Sequence, residues 1–366
     1  MIIKDFVLFN PKGKKPTDYV NYIDTSSVED GKLIDIQRLS DNIPSRAQRV
    51  IEEGDILISS VRPILKHNYY VSQHIENGIA STGFIQIRAD RSKVIPQYLY
   101  YFLTEENKVK MYQTIAETSQ STFPSFNKDV IENMAFPDVS LAEQQHIVDI
   151  LGTLDEKIEN NEKNIALMLQ LCKEKFSLLS SQSNIKTTLK NLCEFAICGT
   201  TPSTKAPELW NGNIPFITTP DMNNKVFVFD TERTVAYSDK IKSKLISEDS
   251  ISVSCIGTIG VIGMATELSL TNQQINTLIP RTNQKYYLYN LLLANIDAIK
   301  AIATGSATPN ISKESFLKLD VYVCSEKDIC SFNEDVTPIY ETIKKLQIEN
   351  RKIKELKQLY LKKFFG

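Results

Sequence analysis

Two long segments of the chain carry apolar residues at every third or fourth position. One covers residues 141–181 and the other covers residues 323–366. The repeating positions are Ile147, Leu151, Leu154, Ile158, Asn161, Ile165, Met168, Cys172, Lys175 and Leu179 in the first segment, and Ile339, Ile343, Leu346, Asn350, Ile353, Lys357 and Tyr360 in the second. This heptad spacing predicts two long helices, and its length favours a coiled coil over two helices that each pack only on their own globular neighbour.

Each helical segment has one asparagine at a core position of its heptads. A polar core residue costs stability and can fix the register of a coiled coil. If the helices are antiparallel and Asn161 faces Asn350, the apolar positions around them also face each other. This register pairs Ile158 with Ile353 and Ile165 with Leu346. A shift by one heptad is the main alternative.

The segments that precede the two helices resemble each other. They read "QSTFPSFNKDVIENMAFPDVS" (120–140) and "GSATPNISKESFLKLDVYVCS" (305–325). Four pairs of residues in them are separated by 185 positions: Ser121 and Ser306, Pro124 and Pro309, Phe126 and Ile311, and Lys128 and Lys313. Further upstream, "EEGDILISSVRP" resembles "SEDSISVSCIGT", and "PQYLYYFL" resembles "KYYLYNLL". The chain therefore contains an internal repeat.

The repeated segments mix strand-like and helix-like patterns. Short β-branched runs predict strands at 55–61, 83–88 and 251–256, and longer aromatic-rich segments predict helices near 96–117 and 285–303. We expect an α+β fold in which two similar globular domains, 1–140 and 182–322, are joined by two long antiparallel helices as a pseudo-two-fold repeat.

Bulk composition narrows the class of protein. The chain has 366 residues, which suits two or three domains, and its net charge of −2 does not support a generic basic DNA-coating protein. No segment has the length and hydropathy of a signal peptide or a membrane span, so we expect a cytoplasmic protein. The six cysteines form no CxxC pair, which predicts buried free thiols and no metal site.

No group of residues predicts catalysis by this chain. "PDVSLAEQQ" resembles a nuclease motif, but Gln145 stands where a lysine is needed, and Ser140 with Glu143 predicts a helix capping box instead. "GTIGVIG" follows a strand without opening a helix, so phosphate binding there is not expected. Cys255 lies in an alternating apolar strand, where core packing explains it better than nucleophilic chemistry.

Several motifs together resemble one known family. The segment "FPSFNKDVIENMAFPDVSLAEQQHIVDILGTLDEKI" and the segment "GTTPSTKAPELWNGNIPFITTPDM" (199–222) are similar to the central repeat and the second recognition domain of specificity (S) subunits of Type I restriction-modification systems. "SSVRP", "CIGTIG" and "TNQQIN" also fit. The resemblance covers essentially the whole chain.

The resemblance implies a division of labour within a larger complex. Residues 1–140 and 182–322 would be target-recognition domains, each reading one half of a bipartite, asymmetric site in double-stranded DNA. The helices at 141–181 and 323–366 would be conserved spacers that set the gap between half-sites and dock two methyltransferase subunits. Nuclease/translocase subunits would complete the enzyme. S-adenosylmethionine, ATP and magnesium would be bound by those partners, and this chain would be non-catalytic.

The chain departs from the family pattern in two places that concern its repeat. The opening "GTTPS…W" of the second half has no clean copy in the first, where "GKKPTDYVNYIDTSSV" (13–28) stands instead. The final helix has a weaker "EQ" start, "EKDICSFNED". The first departure suggests that the two domains read different half-sites.

Candidate DNA contacts are basic and hydroxyl side chains in loop-rich segments, because these groups reach base edges and phosphates. They are Arg46, Arg49, Arg62, Lys66 and His67 in the first domain, and Thr201, Ser203, Lys205, Lys225, Arg233, Lys240 and Lys242 in the second. Arg62 is equally well explained as a solvated surface residue. Trp210 is better explained by packing than by stacking on DNA, and Asn272, Gln273 and Gln274 either read bases or satisfy a buried turn.

A function of a different class is also open. Two similar heads at a fixed separation could serve a non-DNA scaffold that binds two proteins. A chain that binds no DNA even with a methyltransferase partner would favour that alternative.

Overall fold

The computed structural model describes residues 1–118, 124–305 and 308–366 of the chain. The chain folds as two compact units. Unit 1 comprises Met1–Ile158 and Lys352–Gly366, and unit 2 comprises Glu159–Arg351.

Unit 1 is built from two four-stranded sheets and several helices. Its strands are β1 (Val7–Phe9), β2 (Val20–Ile23), β3 (Val28–Glu29), β4 (Lys32–Leu33), β5 (Gln37–Leu39), β6 (Ala47–Val50), β7 (Ile56–Ser59), β8 (Tyr69–Tyr70), β9 (Gly78–Ser81) and β10 (Phe84–Ala89). Its helices are α1 (Pro96–Thr104), α2 (Glu106–Glu117), α3 (Asp129–Glu132) and the first part of α4 (Leu141–Ser180). The sheet orders are β1-β10-β7-β8 and β5-β2-β9-β6.

Unit 2 follows the same plan with a few additions. Its strands are β11 (Ile185–Thr188), β12 (Cys193–Cys198), β13 (Trp210–Ile217), β14 (Phe227–Val228), β15 (Arg233–Val235), β16 (Leu245–Ile246), β17 (Ile251–Ser254), β18 (Ile262–Ala265), β19 (Ser269–Thr271), β20 (Ile275–Pro280) and β21 (Asp320–Val323). Its helices are α5 (Thr219–Met222), α6 (Lys285–Ala294), α7 (Ile296–Ala301), α8 (Lys313–Leu317) and most of α9 (Glu326–Phe365). The main sheet orders are β12-β20-β17-β18-β14 and β15-β13-β19-β16.

The two units share one topology, which confirms the internal repeat. The order β12-β20-β17-β18 repeats β1-β10-β7-β8, and β15-β13-β19-β16 repeats β5-β2-β9-β6. The one parallel pair in the second sheet also recurs, as β2 with β9 and as β13 with β19. The pair Ser121 and Ser306 lies outside the described residues. The fold is α+β, as the sequence predicts.

The two long helices are shared between the units, because each unit contains part of α4 and part of α9. Ser140 caps α4 as predicted: its hydroxyl accepts from the Glu143 amide at 3.3 Å, and its own amide donates to the Glu143 carboxylate at 3.3 Å. Within unit 2 the helical parts run antiparallel, since Asn161 meets Asn350 and Phe176 meets Phe332 further along.

The two aromatic-rich helices are each broken once, which corrects the predicted single helices. Residues 96–117 form α1 and α2, because Glu105 between them is extended and its carboxylate caps α2 by accepting from the Asn107 amide. Residues 285–303 form α6 and α7, and the side chain of Asn295 at the break donates to the Leu291 carbonyl at 2.8 Å.

Aromatic side chains fill the core of each unit where the sheets meet the helices. In unit 1 the Phe136 ring lies 4.7 Å from Phe6 and 5.1 Å from Phe102, and Phe365 of α9 lies 5.1 Å from Tyr98. In unit 2 the rings of Tyr286 and Tyr340 stack at 4.2 Å, and Phe176 packs 5.4 Å from Tyr287. Such ring pairs add about 0.5–1.5 kcal/mol each beyond their buried area.

All six cysteines are free thiols, as predicted. Four are buried, and Cys198 and Cys330 are half-buried. In the part of the chain that the structure describes, none of the helices combines the length and the hydropathy of a bilayer span.

Candidate nucleic-acid interface

The loop "GTTPS" at 199–203 is anchored to the turn between β19 and β20 in unit 2. The Thr200 amide donates to the Thr271 carbonyl at 2.8 Å, and the Gly199 amide donates to the Ile275 carbonyl at 3.1 Å. A Cβ at Gly199 would lie 2.3 Å from the Thr271 carbonyl oxygen, so only glycine allows this approach. Thr201, at the exposed tip, hydrogen-bonds to the side chain of Gln273.

An aromatic–arginine stack holds the other end of this loop. The indole N–H of Trp210 donates to the Ser203 carbonyl at 3.1 Å, and the Arg233 guanidinium carbon lies 3.5 Å from the Trp210 ring centroid. A guanidinium over an aromatic face is an attractive contact. Trp210 is half-buried, so packing explains much of it, as predicted. The structure thus brings Thr201, Ser203 and Arg233 to one surface.

The other candidates of unit 2 lie on exposed turns. Lys205 follows the loop directly, and its amide donates to the Ser203 hydroxyl oxygen at 3.2 Å. Lys240 and Lys242 are exposed on the segment that leads to β16, while the neighbouring Lys244 ammonium donates to the Cys198 carbonyl at 3.1 Å. Lys225 is exposed on the turn before β14, a strand of the other sheet.

The polar run after β19 mainly satisfies its own turn. The carbonyl oxygen of the Asn272 side chain accepts from the Gln274 amide at 3.0 Å, and its amide group donates to the Gln274 side chain at 3.2 Å. The geometry therefore favours a structural role for these residues in the turn over a role in reading bases.

In unit 1, Arg46 directly precedes the edge strand β6, and Arg49 lies within that strand. Arg46 is exposed, and its carbonyl accepts from the Thr82 amide at 2.9 Å. Arg49 is half-buried, and its buried Nε has no hydrogen-bond partner among the described residues. Burial lowers the pKa of the Arg49 guanidinium, because it penalises the charged form.

Arg62 is held in a left-handed backbone conformation just beyond β7. Its φ is 47°, and its amide donates to the Pro124 carbonyl at 3.0 Å. The matching residue of unit 2 is Gly257, with φ of 73° and an amide that donates to the Pro309 carbonyl at 3.0 Å. The fold therefore presents Arg62 on an exposed, constrained turn at a place where the other unit has glycine.

Lys66 and His67 lie four and five residues after that turn. Lys66 lines a cleft of about 100 Å³ together with Asp30, Tyr100 and Lys357, so its surroundings are of mixed charge. His67 is half-buried beside it.

Sequence reasoning missed a second aromatic–arginine stack, in unit 1. The Arg38 guanidinium carbon lies 4.0 Å from the Tyr19 ring centroid, and the Tyr19 hydroxyl hydrogen-bonds to Glu76, which raises the pKa of Tyr19. The segment before it, "GKKP", lies against β6, where the Lys15 ammonium donates to the Ala47 carbonyl at 3.1 Å. The common Gly-x-x-Pro spacing of "GKKP" and "GTTP" is the signal that could have found it.

The predicted asparagine pair of the long helices is in contact. The Asn161 amide group donates to the Asn350 side-chain oxygen at 2.8 Å and to the Glu349 carboxylate at 2.8 Å, and both asparagines are buried. Of the apolar positions assigned to the same register, Ile158 is buried and Ile165, Leu346 and Ile353 are half-buried. That the asparagine layer fixes the register stays a prediction.

A protein-family model described as "Type I restriction modification DNA specificity domain" matches the chain twice, at residues 2–169 and 182–358. The chain belongs to this family. Each family match contains one pair of sheets and part of one long helix, so the repeat of specificity domains coincides with the repeat of folds.

Individual relatives agree with the family assignment. The specificity subunit of the Type I restriction enzyme HindI from Haemophilus influenzae is 27% identical, and the match covers 93% of this chain and 92% of that protein. The specificity subunit of the MjaIX enzyme from Methanocaldococcus jannaschii is 27% identical over 34% of this chain and 30% of its own length. The S subunit of a Type I restriction-modification system from M. genitalium has a similar fold, with a TM-score of 0.59 at 15% identity over 100% of this chain and 95% of that one.

Proposed function

We propose that this chain is the DNA-specificity subunit of a Type I restriction-modification complex. Each unit would read one half of a bipartite, asymmetric site in double-stranded DNA, and the long helices would set the spacing between the half-sites. The observation that carries the proposal is the duplication: one specificity-domain topology occurs twice in the chain, with different exposed side chains on matching loops. A two-headed non-DNA scaffold is the weaker alternative, because it does not account for the family match.

The candidate base and phosphate contacts fit this role. Thr201, Ser203 and Arg233 share one surface of unit 2, and Arg46 and Arg49 lie together along an edge strand of unit 1. Arginine and hydroxyl groups are suited to base edges and to phosphates.

Chemistry would be supplied by partner subunits. Two methyltransferase subunits would dock on the long helices and nuclease/translocase subunits would join them, with S-adenosylmethionine, ATP and magnesium bound by these partners. Part of α4 in unit 2 offers an exposed apolar row suited to docking, formed by Leu167, Leu171 and Leu178. Residues four and seven positions apart lie on one face of a helix, and exposed apolar patches mark interaction sites.

Long-read methylation sequencing of the host genome, with and without this gene, tests the proposal. We expect the deletion to abolish N6-adenine methylation at one split motif, which would also identify both half-sites. Unchanged methylation, together with no binding of genomic DNA fragments by the chain and a methyltransferase partner, would contradict the proposal and favour the scaffold.

A further inference from the structure

The strands that carry the aromatic–arginine stacks occupy equivalent places in the two units. β2 and β13 each lie between one antiparallel and one parallel neighbour. Each is followed at once by a reciprocal capping box, formed by Asp24 with Ser27 in unit 1 and by Thr218 with Asp221 in unit 2. The boxes use different residue types for the same hydrogen bonds, so they fix the alignment of the strands independently of sequence similarity.

Tyr19 lies five residues before its box and Trp210 lies eight before its own, because β13 is irregular between Trp210 and Ile214, so the two aromatic residues correspond by their contacts. Tyr19 directly precedes β2 and Trp210 is the first residue of β13, and both stack on an arginine from the adjacent antiparallel strand, Arg38 of β5 and Arg233 of β15. The neighbouring strand and the contact type are the same in both units, although the aromatic residue is a tyrosine in unit 1 and a tryptophan in unit 2.

The loop before each stack is also equivalent. Both loops are Gly-x-x-Pro, and both glycines approach their sheet too closely for a side chain. A Cβ at Gly13 would lie 2.7 Å from the Cβ of Val50, and a Cβ at Gly199 would lie 2.2 Å from the Asn272 carbonyl oxygen. Each glycine therefore anchors a loop with exposed side chains at its centre, on both central residues in unit 1 and on Thr201 in unit 2, where Thr200 is half-buried.

The central residues differ in charge. In unit 1 they are Lys14 and Lys15, both exposed, and the Lys15 ammonium reaches the Ala47 carbonyl next to Arg46. In unit 2 the same places hold Thr200 and Thr201, which are neutral. Two exposed lysines on a loop that contacts the residue after the exposed Arg46 form a local cationic surface on a chain whose net charge is only −2.

We infer that Lys14 and Lys15 contact the phosphate backbone of DNA at the half-site of unit 1. The Tyr19–Arg38 and Trp210–Arg233 stacks are positioning devices for the two Gly-x-x-Pro loops. The inference rests on the proposed function. It adds two DNA contacts, Lys14 and Lys15, to the candidates predicted from the sequence. It implies that ionic contacts through this loop serve one half-site, while the matching loop of unit 2 contributes hydroxyl hydrogen bonds.

The first test measures binding of the chain in complex with its methyltransferase partner. The probes are a duplex that carries the motif found by methylation sequencing and a duplex of shuffled sequence. Affinity is measured between 50 and 200 mM salt for the wild type, for Lys14→Ala/Lys15→Ala, for Thr200→Ala/Thr201→Ala as the matched variant, and for Lys93→Ala/Lys110→Ala as a charge control.

Each phosphate contact adds about 0.9 to the slope of log affinity against log salt. Removal of Lys14 and Lys15 should therefore reduce the slope by about 2, for both duplexes alike. Across this salt range, the wild type should lose about tenfold more affinity than the lysine variant does. The threonine variant and the charge control should keep the wild-type slope. An unchanged slope in the lysine variant, or an equal loss in the charge control, overturns the inference.

The second test separates positioning from general stability. Tyr19→Ala should reduce the salt slope as the lysine variant does, because the loop loses its position, whereas Trp210→Ala, whose loop has no charged central residue, should keep the wild-type slope. Tyr19→Phe keeps a ring for Arg38 and should retain most of the wild-type slope. An unchanged slope in Tyr19→Ala, or an equal change in both alanine variants, would contradict the positioning role.

The two hypotheses fail in different ways. A wild-type complex with no preference for the motif duplex over the shuffled duplex contradicts the proposed function itself. A wild-type complex that prefers its motif, and whose salt slope is untouched by loss of Lys14 and Lys15, contradicts only the inference about this loop.

Discussion

Arg62 combines an exposed side chain with a backbone conformation that costs stability. A non-glycine residue at φ of 47° destabilises the folded state by about 1–2 kcal/mol, because its Cβ is crowded by the backbone. Gly257 adopts the same conformation in unit 2 without that cost. The turn keeps the same backbone hydrogen bond in both units, so this bond does not depend on which of the two residues stands there.

Two variants of Arg62 separate its strain from its side chain. Arg62→Ala and Arg62→Gly both remove the guanidinium, but only glycine relieves the left-handed backbone. We expect the glycine variant to be more stable than the alanine variant by about 1 kcal/mol, and both to bind DNA more weakly than the wild type. Urea unfolding and duplex binding check the two statements. Equal stability of the variants would contradict the strain, and wild-type affinity would remove Arg62 from the interface.

The buried pair of Asn161 and Asn350 makes a second prediction at this scale. Asn161→Leu removes both hydrogen bonds that Asn161 donates, to Asn350 and to Glu349, so it should destabilise the chain by about 1–3 kcal/mol in urea unfolding. Asn161→Leu/Asn350→Leu should recover much of that loss and weaken the preference for one register.

Asn164→Leu, on an exposed position one turn further along α4, is the matched control and should change stability little. A single Asn161→Leu variant that is more stable than the wild type and equally well ordered would show that the asparagine layer does not fix the register.

The long helices also hold the ends of shorter ones. In unit 1 the Gln144 side chain of α4 accepts from the Ile95 amide at the start of α1 at 2.9 Å, and donates to the Val139 carbonyl at 2.9 Å. In unit 2 the Asn333 side chain of α9 accepts from the Tyr286 amide in the first turn of α6 at 2.9 Å. In the last helix, whose "EQ" start is weaker, the side-chain amide of Asn333 therefore makes the contact that the side-chain amide of Gln144 makes in α4.

Gln144→Ala tests this cap at the scale of the element. It leaves the Ile95 amide and the Val139 carbonyl without their partner in a buried setting, so we expect a loss of about 1–3 kcal/mol. Gln145→Ala, at the neighbouring exposed position, should have little effect. Thermal unfolding of the two variants gives the comparison, and similar melting temperatures would contradict the capping role.

Two buried thiols in the core of unit 2 predict sensitivity to alkaline pH. Burial raises the pKa of the Cys172 thiol to about 11 and that of the Cys255 thiol to about 11, from 9.0. A pKa raised by folding means that the protonated thiol stabilises the folded state below pH 9, and that this contribution is lost as the pH rises through 11.

Urea unfolding at pH 8 and pH 11 measures this loss, which is on the order of 2 kcal/mol for each thiol. Cys172→Ala should lose less stability than the wild type over the same interval, because it has no thiol to ionise there. An identical pH dependence of the two proteins would contradict the assignment.

Regular elements with strong patterns were predictable from the sequence, and elements set by single contacts were not. The runs at 55–61 and 251–256 became β7 and β17, because buried strands read as continuous β-branched stretches. The breaks at Glu105 and Asn295 were missed, since both residues are tolerated inside helices and only their extended or capping geometry ends the helix.

The matching loops of the interface were hidden by unequal lengths. β13 has eight residues where β2 has four, and Trp210 lies seven positions after Ser203, so no gap-free alignment places Tyr19 beside Trp210. The stack on an arginine from the neighbouring strand is a long-range contact, which local sequence patterns do not carry. Individual base contacts are less predictable still, because they depend on side chains that lie far apart in the chain.

At the scale of the whole molecule, two units of one topology carry different surfaces, and the long helices carry the face proposed for partner docking. Leu167→Glu/Leu171→Glu places charge in the exposed apolar row of α4 and should abolish co-purification with the methyltransferase partner while leaving the unfolding midpoint within experimental error. Lys173→Glu, an exposed change on another face of α4, is the control and should keep the complex. Retention of the complex by the leucine variant would place the docking face elsewhere.

The make-up of unit 1 has a consequence for the order in which the chain matures on the ribosome. Its core is completed by residues 352–366, where Leu361 packs with Leu151 and Tyr101, and Phe365 packs on Tyr98. All of residues 159–351 must be translated between its two parts, which takes roughly 10 to 40 s at about 5–20 residues per second. Unit 2 therefore has its complete sequence first, and during this interval the aromatic surface of the nascent unit 1 that residues 352–366 later cover stays exposed to aggregation.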